Sequence, residues 1–130
     1  MKITKILIPI FNDWRSLFIL LKNIDLQLDG WDADVSVIVI NDASTEKKPD
    51  NTLVFKNLSS IKIINMKKNK GHTRCIATGL KYINEKENFD FVVPMDGDGE
   101  DLPSEIGPIL CKAYDNPGRA ITGNRVKRSE

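Results

Sequence analysis

Four short apolar runs, each rich in β-branched residues and bounded by polar or turn residues, limit most tightly how this chain can fold. Lys5-Ile6-Leu7-Ile8-Pro9-Ile10 is the first and Val35-Ser36-Val37-Ile38-Val39-Ile40 the second. Ile61-Lys62-Ile63-Ile64 is the third and Phe89-Asp90-Phe91-Val92-Val93 the fourth. The runs are nearly continuous rather than alternating, which is the pattern of strands covered on both faces. Between them, residues 15–28 place Leu17, Leu20, Leu21, Ile24 and Leu28 at helical spacing, and residues 73–84 do the same with Ile76, Leu80 and Ile83. Further on, residues 104–114 carry Ile106, Ile109, Leu110 and Ala113 as a third helical pattern, and residues 119–123 read as a candidate fifth strand. Residues 45–60 are polar and contain Pro49, so a loop with a short helix is expected there. Alternating strand and helix predicts an α/β domain with a mainly parallel sheet and helices on both faces. The 130 residues fit a single domain.

Charge narrows the partners. Nineteen basic and eighteen acidic residues leave a net charge of +1, so no nucleic-acid partner is expected and nothing in the charge argues for an anionic membrane surface. The longest apolar runs, residues 17–21 and 37–40, fall far short of the roughly 20 residues a membrane helix needs. The opening Met1-Lys2-Ile3-Thr4-Lys5 has no signal-peptide pattern. Cys75 and Cys111 are far apart and outside any CxxC pair, so they are expected as free thiols in a reducing cytoplasm. A cytoplasmic location, or one at the cytoplasmic face of a membrane, is the expectation.

Ligands of open parallel sheets bind at the carboxyl ends of the strands. The segments there are Phe11-Asn12-Asp13, Asn41-Asp42-Ala43-Ser44, Asn69-Lys70-Gly71-His72 and Asp96-Gly97-Asp98. The last is the most informative. A buried strand delivers two carboxylates one residue apart, with Glu100 and Asp101 close behind. Four acids within six residues repel one another unless a cation sits among them. Mg²⁺ suits the place, since it takes one or two carboxylates and completes its shell with phosphate oxygens. Acids also favour the first turn of a helix, which accounts for Asp101 and Glu100 ahead of a helix after Pro103, but not for Asp96 and Asp98. A calcium EF-hand needs Gly at position six and Glu at twelve; counted from Asp96 these are Asp101 and Gly107, so that reading fails.

Taken in order, these segments resemble the family 2 glycosyltransferases of the GT-A, Rossmann-like fold. Ile8-Pro9-Ile10-Phe11-Asn12-Asp13 resembles their opening strand and Pro-x-aromatic-Asn-Glu turn, with Asp13 one methylene shorter than the usual Glu. Ile40-Asn41-Asp42-Ala43-Ser44 resembles their Asp-Asp-Gly-Ser turn. Asn69-Lys70-Gly71 followed by Cys75 and Gly79 resembles their Asn-x-Gly-x3-Ala-x3-Gly segment. Asp96-Gly97-Asp98 with Glu100-Asp101-Leu102-Pro103 looks like their DxD motif, in the form found in polyprenyl-phosphate glycosyltransferases of the dolichyl-phosphate mannose synthase type. Gly123-Asn124-Arg125 with Lys127 and Arg128 resembles the Gly-Ser-Arg segment that follows.

The resemblance implies a donor site for a UDP- or GDP-linked sugar. Pro9, Phe11 and Asp13 would line the nucleoside pocket and Asp42 would meet the base, although Asp42 could equally be a turn residue bonded to backbone. Asp96 and Asp98 would hold Mg²⁺ or Mn²⁺, with Asp98 on the metal and Asp96 on the ribose or a metal-bound water. Gly71, Arg74, Gly97 and Arg125 would approach the diphosphate, and Arg125 with its basic neighbours would meet a phosphate of the donor or of a lipid-phosphate acceptor. His72, the single histidine, is placed as a loop residue, since a lone His makes a poor metal site. Cys75 is expected to pack the helix, and Trp14 and Trp31 to pack in the core or an interface rather than stack on a ligand. Residues 1–130 are expected to be one donor-binding domain cut short on its acceptor side, binding nucleotide weakly and transferring sugar slowly or not at all. No general base is found in it. Such a base is expected to lie beyond Glu130, or not to be required where the acceptor is a phosphate. A nucleotidyltransferase would bring a Gly-rich basic loop after the first strand, where Phe11-Asn12-Asp13-Trp14 stands instead. A non-catalytic nucleotide-sugar-binding module remains open. A receiver-like domain would need an acid after the third strand, where Asn65-Met66-Lys67 stands.

Overall fold

A computed structural model describes residues 2–49 and 54–96. The expected third helix and fifth strand, Gly97, Asp98, Cys111, Arg125, Lys127, Arg128 and Glu130 lie outside the described residues. The expected position of a general base, beyond Glu130, therefore lies outside them as well. The described elements are β1 (Lys2–Ile10), α1 (Trp14–Gln27), β2 (Ala33–Asn41), β3 (Leu58–Asn65), α2 (His72–Lys86) and β4 (Phe91–Pro94). The four strands form one parallel sheet in the order β3-β2-β1-β4.

Strand alternation builds two cores. Ile6, Ile8 and Ile10 of β1, Val35, Val37 and Val39 of β2 and Val93 of β4 face α1, where Leu17, Leu20, Leu21 and Ile24 cover them. Leu7, Ile38 and Ile40 point the other way, against Cys75 and Ile83 of α2. Ile6, Leu7 and Ile8 are fully buried, which is why β1 reads as an unbroken apolar run. Pro9 sits in this central strand without breaking a ladder. The Ile3 and Leu7 carbonyls accept from Asp90 and Met95 on the β4 side, and the Ile10 carbonyl accepts from Asp42 on the β2 side. Pro9 shares the β4-facing parity but lies past the last β1–β4 pair, Leu7 with Pro94, where no strand donor is needed.

Two of the boundaries that differ from expectation have a polar cause. Leu58, Ser59 and Ser60, read as loop, are the opening of β3. The cause is Asp25 of α1, a buried carboxylate that accepts from the backbone N–H of Lys56 (3.1 Å), Asn57 (2.7 Å) and Leu58 (2.8 Å) and so feeds the chain into the strand early. Phe89 and Asp90, read as strand, precede β4 instead. Asp90 clamps the start of β1, its carboxylate accepting from Ile3 N–H at 2.8 Å.

Helix α2 lies against the sheet at Gly79. A Cβ there would overlap Leu7 Cδ1 and stand 2.9 Å from Cδ2 and 3.1 Å from Cγ. Cys75, one turn earlier, is fully buried in the same contact. The small residues at these two positions therefore serve close packing of α2 on β1. At the far end of α2, Glu87 pairs with Lys5 at 3.3 Å and Lys62 at 2.7 Å, and the Lys62 hydrogen bond leads in holding its carboxyl below the usual range. Gly79→Val is expected to destabilise the chain by about 2 kcal/mol, since extra methyl groups in a filled contact force the helix outward. Urea denaturation reads this, and an unchanged midpoint would contradict the close packing described.

Candidate functional site

The order β3-β2-β1-β4 makes β1 the topological switch point. The chain runs outward from β1 to β2 and β3, then returns through α2 to the other side of β1. The crevice beyond the carboxyl ends of β1, β2 and β4 is where such folds hold ligands.

Three turns bordering that crevice are braced to one another. After β1, Asn12 adopts left-handed backbone with φ 61°. Its N–H donates to Ser44 Oγ at 2.9 Å, its side-chain amide donates to Thr45 Oγ1 at 2.9 Å, and its Oδ1 accepts from Glu46 N–H at 2.9 Å. After β2, Ser44 N–H donates to Asn41 Oδ1 at 3.1 Å, and Asn41 Nδ2 reaches Asn65 Oδ1 at the end of β3 at 2.9 Å. Ala43, with φ 57°, holds left-handed backbone that costs a residue bearing a Cβ about 1 kcal/mol. It stands where the resembling turn has Gly.

Asp42 is buried, 4% exposed, and its carboxylate takes up the third turn. One oxygen accepts from Lys70 N–H at 2.7 Å and the other from Gly71 N–H at 2.9 Å. Asn69 Nδ2 donates to the Asp42 carbonyl at 3.2 Å. Gly71 has φ 90°, a left-handed value that glycine adopts without a Cβ clash, and α2 starts directly after it. Asp42 is thus bonded to backbone, as a turn residue would be, but to a turn 28 residues away. Each carboxylate oxygen has a second lone pair, so a donor on a base could still be accepted. Cys75 packs beside it. Burial, then the hydrogen bond and charge of Asp42, push the Cys75 thiol up to about 11, so it stays protonated and unreactive at neutral pH.

Asp96 follows β4 and is also buried, 6% exposed. His72 Nε2 lies 2.6 Å from its Oδ1. His72 is therefore not a loop residue: it opens α2 and reaches the acid at the end of β4. Of the other expected site residues, Pro9 is buried within β1 and Phe11 is exposed at the crevice mouth. Asp13 is half-buried at the N-cap of α1, and Arg74 is exposed on the first turn of α2. Trp14 packs in the core against Phe18, its Nε1 donating to the Glu46 carbonyl at 3.1 Å, and Trp31 packs partly buried on the same cluster. Among the described residues no three His, Cys, Asp or Glu side chains gather around one point. The donor set still fits a hard divalent cation, because a buried carboxylate at a strand end needs only one more acid and phosphate oxygens to complete such a shell.

The sequence pattern described as Glycosyl transferase family 2 matches residues 5–130. The chain belongs to this family. The uncharacterized protein MJ0544 of Methanocaldococcus jannaschii is 25% identical over 122 residues, which span 92% of this chain and 50% of that protein. The crystal structure of S. aureus TarS residues 1–349 superposes with a TM-score of 0.61 at 21% identity, covering 88% of this chain and 32% of TarS. A second TarS crystal structure gives 0.57 at 19% identity, covering 88% of this chain and 20% of that one. The TarS likeness is one of fold, and it places the parallel sheet with helices on both faces within the GT-A architecture. The chain spans half the length of the curated relative it matches. No described helix of this family 2 chain is long and apolar enough to cross a membrane.

The residues that brace the crevice, Asn12, Asn41, Ser44 and Asn65, were present in the sequence motifs or beside them but carried no assigned role. Asn and Ser next to strand ends are a general signal of turns bonded through side chains. For the His72–Asp96 contact the sequence holds no signal, since 24 residues separate the partners.

Proposed function

We propose that this chain supplies the donor site of a metal-dependent, inverting glycosyltransferase that uses a UDP- or GDP-linked sugar. Family membership supports sugar transfer, and one geometric observation supports the site: buried Asp42 and Asp96 flank the switch-point crevice, linked by the turn that leads into α2. In this reading Asp42, Pro9, Phe11 and Asp13 hold the nucleoside. Gly71 and Arg74, together with Gly97 and Arg125, approach the diphosphate. Asp96 and Asp98 hold Mg²⁺ or Mn²⁺. When bound, that cation supplies Lewis-acid neutralisation of the charge building on the departing diphosphate. The acceptor attacks the anomeric carbon from the side opposite the diphosphate. The Asp-Gly-Asp-Gly-Glu-Asp-Leu-Pro segment favours a polyprenyl phosphate acceptor. Such a phosphate is already anionic at neutral pH and needs no protein base, so this reading requires no residue beyond Glu130 for that role.

Calorimetric titration of UDP and then GDP, with Mn²⁺ and with EDTA, tests the donor site. One nucleotide is expected to bind only with Mn²⁺, and Asp96→Ala and Asp98→Ala are each expected to weaken it by about tenfold or more. Binding indifferent to EDTA and to both variants would remove the metal from the reading. Failure of both nucleotides to bind would remove the donor site altogether.

A further inference from the structure

We propose that His72 is a positioning residue for the donor site: its ring Nε2 holds the Asp96 carboxylate in the orientation that meets the cation or its bound water. The inference rests on the donor-site reading above. At 2.6 Å the ring nitrogen and the carboxylate oxygen are in close hydrogen-bond contact, with the carboxylate as acceptor when Nε2 carries the proton. The Asp96 side chain is 8% exposed and the His72 side chain 55%, so the imidazole contributes little to the core.

The backbone explains how His72 comes to be there. Lys70 and Gly71 are pinned by both oxygens of Asp42, rooted on β2, and the left-handed Gly71 then turns the chain into α2. His72 is the next residue, and its side chain reaches the acid rooted on β4. Strands β2 and β4 are not neighbours, because β1 lies between them. Asp42, the turn and His72 therefore bridge the end of β1 and tie the two buried acids into one unit. A carboxylate so held needs no reorientation when the ligand arrives, and outer partners of this kind typically change metal affinity by about 10- to 100-fold.

The test compares wild type, His72→Ala and His72→Gln by titration of UDP and GDP with Mn²⁺. Gln places an amide N–H close to where Nε2 stands. His72→Ala is expected to weaken the metal-dependent binding by about tenfold, with unfolding midpoint nearly unchanged, and His72→Gln to recover most of it. Ring ¹⁵N spectra give a second readout, since the chain has one histidine. The proton is expected on Nε2 in the wild type, with that preference lost in Asp96→Ala. Wild-type affinity in His72→Ala overturns the inference and leaves the donor site standing. Equal losses in the Ala and Gln variants, or ring spectra indifferent to Asp96→Ala, overturn it as well. If the wild type binds neither nucleotide, the donor-site reading falls and takes this inference with it.

Discussion

An Asp42→Ala chain is expected to lose about 2 kcal/mol of stability and, at the same time, most of its metal-dependent nucleotide binding. The two losses share a cause. Removing the carboxylate leaves the Lys70 and Gly71 N–H groups without their acceptors at the foot of α2, in a part-buried place where replacement by water is incomplete. The turn then no longer fixes the backbone of His72, and the first turn of α2 loses its register against the end of β4. Asp42→Asn sharpens the argument. It keeps the shape but turns one acceptor into a donor facing a backbone N–H, so it should be nearly as damaging as alanine. Urea melts and nucleotide titration on the two variants decide the matter. An Asn variant as stable as wild type would show that the carboxylate does not hold the turn. A stable Asn variant that had nevertheless lost nucleotide would point to direct base contact as the main role of Asp42.

The sheet was legible in the sequence because its inner strands are buried on both faces, which leaves an unbroken apolar signature at Ile6–Ile10 and Val35–Ile40. The helices were legible from the spacing of Leu17, Leu20, Leu21 and Ile24, and of Ile76 and Ile83. What escaped was held by polar contacts between distant residues. The start of β3 at Leu58 depends on Asp25, 33 residues earlier, and the segment Leu58-Ser59-Ser60 has no apolar pattern of its own. The start of β4 at Phe91 depends on Asp90 clamping Ile3, 87 residues away. The site divides in the same way. Motif order marked Asp42 and Asp96 as the acids at two strand ends, since a carboxylate following a buried strand stands out. That Asp42 grips the glycine turn, and that His72 meets Asp96, follows from the strand order placing β1 between them, which spacing alone does not encode.

The same kind of contact gives the second large effect, at Asp25. Burial raises the pKa of this carboxyl, but the N–H groups of Asn57, Leu58 and Lys56, with Lys22 nearby, outweigh it and hold it below its usual value of 3.8. Asn57 Nδ2 also donates to the Asp25 carbonyl at 2.7 Å, so the residue anchors the entry to β3 from α1 at several points. Because the folded pKa is lower than the unfolded one, the ionised carboxylate contributes stability that is fully present above about pH 4 and is lost as pH falls toward and through the folded value. Asp25→Ala leaves three backbone donors without their acceptor and is expected to cost about 3 kcal/mol at pH 7. Asp25→Asn keeps the volume and one acceptor, and should cost less, about 1–2 kcal/mol. Chemical denaturation of wild type and Asp25→Asn across pH 7 to pH 3 separates the two parts. The gap between them should be constant from pH 7 to about pH 5 and narrow below about pH 4, as the wild-type carboxyl takes up its proton. A gap that stays constant to pH 3 would mean that the charge on Asp25 contributes nothing, and that its shape alone guides the chain into β3.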